Sequence, residues 1–276
     1  MFFNIRWENP MHPMLNIAIR AVRKAGDHVI KSLEKPQSIE VANKGNDVVT
    51  NIDHEAEAII IETILKSYPD HCIITAESGT KEGRDKECQW IIDPVDGTKN
   101  FVRGYPHYAV SIALRMRGRT EVAAVYDPAR NELFTATRGA GAQLNSLRLR
   151  ASQPRDLTGT VLATGLPFAA KQHAESYLKI QNALFVECDD MRQSGCTALD
   201  LCYLAAGRVD GVFKLGQKPW ELAAGELIAR EAGAICADFT GNTNYLTTGN
   251  IVAGNARVVK PMLAKIRELG SEALTK

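Results

Sequence analysis

The chain has 276 residues, 45% of them hydrophobic and 24% charged, and a formal net charge of +1. That length supports a substantial core in one large domain or two subdomains, and so small a net charge argues against a surface built for nucleic acid or membrane. The six cysteines, Cys72, Cys88, Cys188, Cys196, Cys202 and Cys236, form no CxxC pair and no Cys/His cluster with zinc spacing, so reduced thiols and a cytoplasmic location are expected.

The opening segment MFFNIRWENP is too short and too polar for a signal peptide, and no run of about 18 apolar residues follows. Neither export nor membrane anchoring is expected. Across residues 13–33, Leu15, Ala18, Val22, Ala25, Val29 and Leu33 recur every three or four positions, the stripe of an amphipathic helix. A second helix is expected from Thr50, where Asp53 three residues on completes a capping box, to Tyr68 before Pro69. Short β-rich runs follow at 72–75, 90–92, 108–116, 121–126 and 132–137, separated by Gly, Pro and Asn. GNDVVTNID and the Gly-containing loops read as turns.

Beyond residue 150 strands and helices alternate. Strands are expected at 160–163 and 210–215 and near Ile235 and Ile251; helices at 171–185, 197–206 and 220–231, with a last one from Pro261. The pattern predicts an α+β half over 1–150 and an α/β half over 151–276, packed as one unit.

In WIIDPVDGTKNF, Asp93 and Asp96 follow the apolar run at 90–92, and Pro94 is expected to stop a central strand there. Two carboxylates with the Val95 carbonyl between them suit a hard divalent cation; Gly97 and Thr98 add amide N–H groups for an anion, and Thr98 a hydroxyl that orients a water. An Asp-rich turn explains the same residues. Asp53 reads equally as a helix cap, Glu77 as a solvated loop carboxylate, and Glu221 in PWELAAGELIAREAGA as a carboxylate at the positive end of a helix. If Glu221 instead approaches the Asp93/Asp96 cation, the site lies in a cleft between the halves. No GxxxxGK[ST] loop and no GxGxxG after a strand supports a nucleotide-dependent kinase or dehydrogenase, and the six histidines form no spaced pair.

WIIDPVDGTKNF and PWELAAGELIAREAGA resemble the two signatures of the inositol monophosphatase family, and the similarity to its bacterial SuhB branch runs nearly continuously from Met11, an alternative start, to the carboxyl terminus. The resemblance implies an αβαβα layered fold, Mg²⁺-dependent hydrolysis of a phosphate monoester such as inositol 1-phosphate, and a homodimer. By position it implies metal ligation by Asp93, Val95, Asp96 and Glu221, with Glu77 a weak addition. It further implies water activation by Asp53 and Thr98, a metal-assisting Lys44, and phosphate or substrate contacts from Asp96, Gly97, Thr98 and Arg192.

Several positions depart from the family. Ala76 stands where the family has a metal-binding Glu, and Glu221 replaces an Asp, which displaces the carboxylate by about 1.3 Å where metal–oxygen distances tolerate about 0.2 Å. Lys99 replaces a Thr, Lys214 a Glu that meets sugar hydroxyls, and Cys196-Thr197 a pair of smaller residues. Losing a carboxylate at 76 and gaining Lys99 is expected to make the pocket two charges more positive, Lys214 adding more, and to weaken a metal site. Lys99 is expected either to enter the vacated metal position and pair with Asp93 or Asp96, or to point to solvent at the cleft mouth. Two functions follow: a weakened Mg²⁺-dependent inositol monophosphatase, or a mainly non-catalytic Nus-type factor in ribosomal RNA antitermination and ribosome biogenesis, binding NusA and RNA polymerase.

Overall fold

The computed structural model describes residues 12–45 and 47–271; Met11 and the side chains of Lys44 and residues 168–170 lie outside the described residues. Helix α1 (Pro13–Ser32) follows its predicted stripe, with Ala18, Val22 and Ala25 wholly buried. Helix α2 (Asn51–Leu65) starts at the predicted cap. The Thr50 side chain accepts from Asp53 N–H while the Asp53 carboxylate accepts from Thr50 N–H.

Ahead of α2, β1 (Val41–Lys44) and β2 (Asp47–Thr50) form a hairpin that, among the described residues, pairs with no other strand. The turn expected over residues 45–53 is therefore a strand leading into a capped helix, since Val48 and Val49 favour extended backbone.

The first sheet has the order β10-β9-β8-β7-β6-β5-β3-β4, formed by β3 (His71–Thr75), β4 (Thr80–Lys81), β5 (Asp85–Asp96), β6 (Ala109–Met116), β7 (Arg119–Asp127), β8 (Glu132–Thr137), β9 (Gly141–Leu144) and β10 (Leu147–Arg148). It is antiparallel except between β3 and β5. A short helix, α3 (Thr98–Val102), follows β5.

The second sheet, β12-β11-β13-β15-β14, contains β11 (Val161–Ala163), β12 (Asp190–Arg192), β13 (Gly211–Lys214), β14 (Ile235–Ala237) and β15 (Ile251–Gly254). Its helices are α4 (Ala174–Phe185), α5 (Thr197–Ala205), α6 (Pro219–Glu231), the short α7 (Tyr245–Thr248) and α8 (Ala256–Leu269). Helix α8 starts five residues before the expected Pro261, because Asn255 caps it by accepting from Arg257 and Val258 N–H. Pro261 sits inside the helix.

Five layers result, as the resemblance implied. Helices α1 and α2 cover one face of the first sheet, α5 and α6 lie between the sheets, and α4 and α8 cover the far face of the second. The cores follow these layers: Val22, Ile60 and Trp90 in the outer one, Leu201, Leu227 and Val125 in the middle, Tyr177, Phe213 and Met262 beyond the second sheet. Among the described residues no helix is long and apolar enough to cross a membrane.

Candidate active site

Along a regular strand residues three apart face opposite sides of the sheet, so Asp93 and Asp96 would point away from each other. Strand β5 does not stop at Pro94; it runs to Asp96 through a bulge. Asp93 pairs with Ser111 and Asp96 with Ala109, so three steps on β5 face two on β6. The extra residue restores a common face for both carboxylates, and a bulge accommodates a proline that a regular central strand would not.

Gly97 then takes φ +98°, a left-handed conformation, and a Cβ there would come within 3.0 Å of the His107 carbonyl. The turn delivers Thr98 to Asp53. Its hydroxyl oxygen lies 2.8 Å from Asp53 Oδ1 and 2.9 Å from the Val95 carbonyl, so one proton serves two acceptors. Asp53 is 1% exposed, and its other oxygen accepts from Thr50 N–H at 2.8 Å. Burial raises its proton affinity, partly offset by the Thr50 and Thr98 hydrogen bonds.

Three carboxylates complete the cluster. Asp96 Oδ2 accepts from Ala198 N–H, in the first turn of α5, at 2.6 Å and from the Cys196 thiol at 3.2 Å. Glu221 Oε2 is drawn back onto Lys218 N–H at 2.5 Å, the reciprocal bond at the start of α6. Asp93 is 6% exposed and accepts no hydrogen bond from a described residue, and the hydroxyl of its cross-strand neighbour Ser111 has no partner among the described residues. Burial first, then the neighbouring charges of Asp96, Glu221, Asp53 and Glu77, hold Asp93 well above the usual carboxylate range. For the same leading reason Asp96 is pushed up to about 6 and Glu221 to about 7.

Such a cluster fits a hard divalent cation. Among the described residues both Asp93 oxygens and one oxygen each of Asp96 and Glu221 accept no hydrogen bond, and without a cation these carboxylates act against one another. A second group is not a metal centre. His71, Asp85 and Cys88 offer atoms within 4.8 Å of one another, but His71 Nδ1 accepts from the Trp90 indole at 3.0 Å, which leaves the proton on Nε2 and removes its lone pair.

Of the two expected positions for Lys99 the structure has the exposed one, and Lys214 lies in the interior. Lys99 is half exposed, its ammonium 3.4 Å from Asp47 on the hairpin, a carboxylate that itself raises the proton affinity of Glu221. Lys214 is the interior cation. It is 3% exposed, 2.5 Å from Asp200 Oδ2 and 3.2 Å from Thr197 Oγ1. Burial lowers its proton affinity, yet Asp200 and then Asp96 outweigh that and leave it raised. The Lys214 charge therefore enters the site as half of a buried ion pair with Asp200 and not as a free positive charge.

Arg192 lies on the exposed edge strand β12, paired with Asp190. Lys44 ends β1 in the hairpin. Glu77 follows β3, within electrostatic reach of Asp53 and Asp93. Sequence reasoning missed Asp200 and Glu57, both buried carboxylates on predicted helices. Glu57 falls one turn after Asp53, a spacing that marks a polar pair on one helix face.

The inositol monophosphatase family model matches residues 10–271. A Nus factor SuhB of Vibrio cholerae is 65% identical over 267 residues, covering 96% of this chain and 100% of that protein. Among solved structures, the extragenic suppressor protein suhB of Bartonella henselae is 36% identical with a TM-score of 0.89, covering 95% of this chain and 100% of its own. An inositol monophosphatase of Anabaena (Nostoc) is 31% identical with a TM-score of 0.83, over 94% and 97% of the two chains.

Proposed function

This chain belongs to the inositol monophosphatase family, and from that membership we propose that it hydrolyses a phosphate monoester of the inositol 1-phosphate kind with Mg²⁺ held by Asp93, the Val95 carbonyl, Asp96 and Glu221. The observation that carries this reading is the Asp93 carboxylate, buried, unbonded among the described residues and surrounded by like charges. When bound, such an ion polarises the phosphoryl group and acidifies a water. Asp53, with its raised proton affinity, takes up the proton through the Thr98 hydroxyl, which it holds at 2.8 Å. The Gly97 turn presents its amides to the phosphate, and α5 keeps Asp96 in place through Ala198 N–H.

Ala76 and Glu221 lower the affinity for the ion. Purified protein is expected to turn over inositol 1-phosphate slowly with Mg²⁺, and Ala76→Glu combined with Glu221→Asp should raise the rate at least about tenfold. Full family-level turnover without those substitutions would remove the case for a weakened site. Absence of turnover in both proteins would remove the phosphatase reading.

A second role is favoured by the 65% identity over almost the whole chain to a protein named as a Nus factor. In that role the fold serves as a surface for NusA and RNA polymerase during ribosomal RNA antitermination, and hydrolysis is dispensable. Binding to NusA of the same organism should be detectable at micromolar concentrations and survive Asp93→Asn; no complex at those concentrations counts against it.

A further inference from the structure

Glu57 is a buried carboxylate, 4% exposed, outside the cluster just described. It lies on α2 four residues after Asp53, so both project from the same helix face. Its oxygens accept from the Thr75 hydroxyl at 2.5 Å, from Glu77 N–H at 3.2 Å and from Ser78 N–H at 3.2 Å. Thr75 ends β3, and Ala76 N–H continues the pairing onto the Ile92 carbonyl at 3.2 Å, one residue before Asp93. A turn tied at these points has little freedom to move, and it starts beside the metal-binding bulge.

We propose that Glu57 is a positioning residue: by gathering Thr75 Oγ1 and the Glu77 and Ser78 amides, it holds the 76–78 turn so that Glu77 faces Asp53 and Asp93. In a chain with no side-chain ligand at Ala76, the Glu77 carboxylate then supplies the third acidic group on that side of the cation. This rests on the metal-site reading above. A carboxylate suits the task because all its hydrogen-bonding capacity accepts, whereas an amide would turn an N–H₂ towards three donors.

The test uses the full chain and its Glu57→Gln, Glu77→Ala and doubly substituted variants. Amide exchange at Glu77 and Ser78 should be at least about tenfold faster in Glu57→Gln while α1 and β6 keep their protection. Mn²⁺ affinity, read by paramagnetic resonance, should fall about 10- to 100-fold. In the Glu77→Ala background the Glu57→Gln change should weaken Mn²⁺ no further, as expected if one residue acts through the other. Unchanged amide exchange, or additive losses in the double variant, overturns the proposal. Unmodified protein that binds no Mn²⁺ overturns the metal-site reading instead, and the exchange result still decides whether Glu57 holds the turn.

Discussion

Lys214→Met should destabilise the protein by about 3–5 kcal/mol, lowering its thermal midpoint by roughly 10 °C, because it strands the Asp200 carboxylate in the interior. Both side chains are 3% exposed and the ammonium lies 2.5 Å from Asp200 Oδ2. Removing Lys214 leaves a buried charge whose Oδ2 has lost its ammonium, with the Ser194 hydroxyl on the other oxygen; removing both charges leaves mainly an apolar repacking problem. The pair Lys214→Met with Asp200→Leu should therefore recover most of the loss, limited by the Ser194 hydroxyl that also bonds Asp200. Urea denaturation of the three variants is the measurement. A single variant within about 1 kcal/mol of the parent would mean that water reaches the pair in solution.

Asp93→Asn should lower turnover at least about 100-fold and, without divalent ions, make the fold more stable at neutral pH. The sign follows from the raised proton affinities. Asp96 and Glu221 are pushed up to about 6 and about 7 from 3.8 and 4.5, so between about pH 4 and pH 7 the folded state binds more protons than the unfolded one. Stability of the metal-free protein must fall as pH rises through that window, by about 3 kcal/mol for a group such as Glu221, and level off above it. Mg²⁺ should reverse the loss, binding more tightly as pH rises because it displaces those protons. Replacing Asp93 deletes a buried carboxyl whose own proton affinity lies well above the usual range, so the variant's pH dependence should be shallower and its response to Mg²⁺ abolished. Denaturation at pH 5.5 and pH 8, with chelator and with Mg²⁺, reads all three effects. Equal stabilisation of parent and variant by Mg²⁺ at about pH 8 would place the ion elsewhere.

Helix α1 was readable from its periodic apolar stripe and α2 from the Thr50/Asp53 capping box, because both signals act within a few positions of each other. The hairpin before α2 was not, since its four-residue strands carry no alternation strong enough to separate them from a turn. Pro94 misled for a related reason. Its effect on a regular strand is local and predictable, but whether the strand is regular depends on the register of β6, which sequence spacing does not reveal.

Residue identities alone placed Asp93, Val95, Asp96, Gly97 and Thr98 in one segment and supplied the carboxylate and hydroxyl chemistry that a cation and a phosphate need. Only the tertiary structure decided how they meet. It turned Asp93 and Asp96 to one face through the bulge, and it brought Ala198, 102 positions away, onto Asp96. It also put Lys214 inside and Lys99 outside, the reverse of what their distances along the chain from Asp96 suggest. A lysine charge sits at the end of a four-carbon stem, so its position is set by where the backbone is anchored and which carboxylate lies within reach. Both are properties of packing between distant segments.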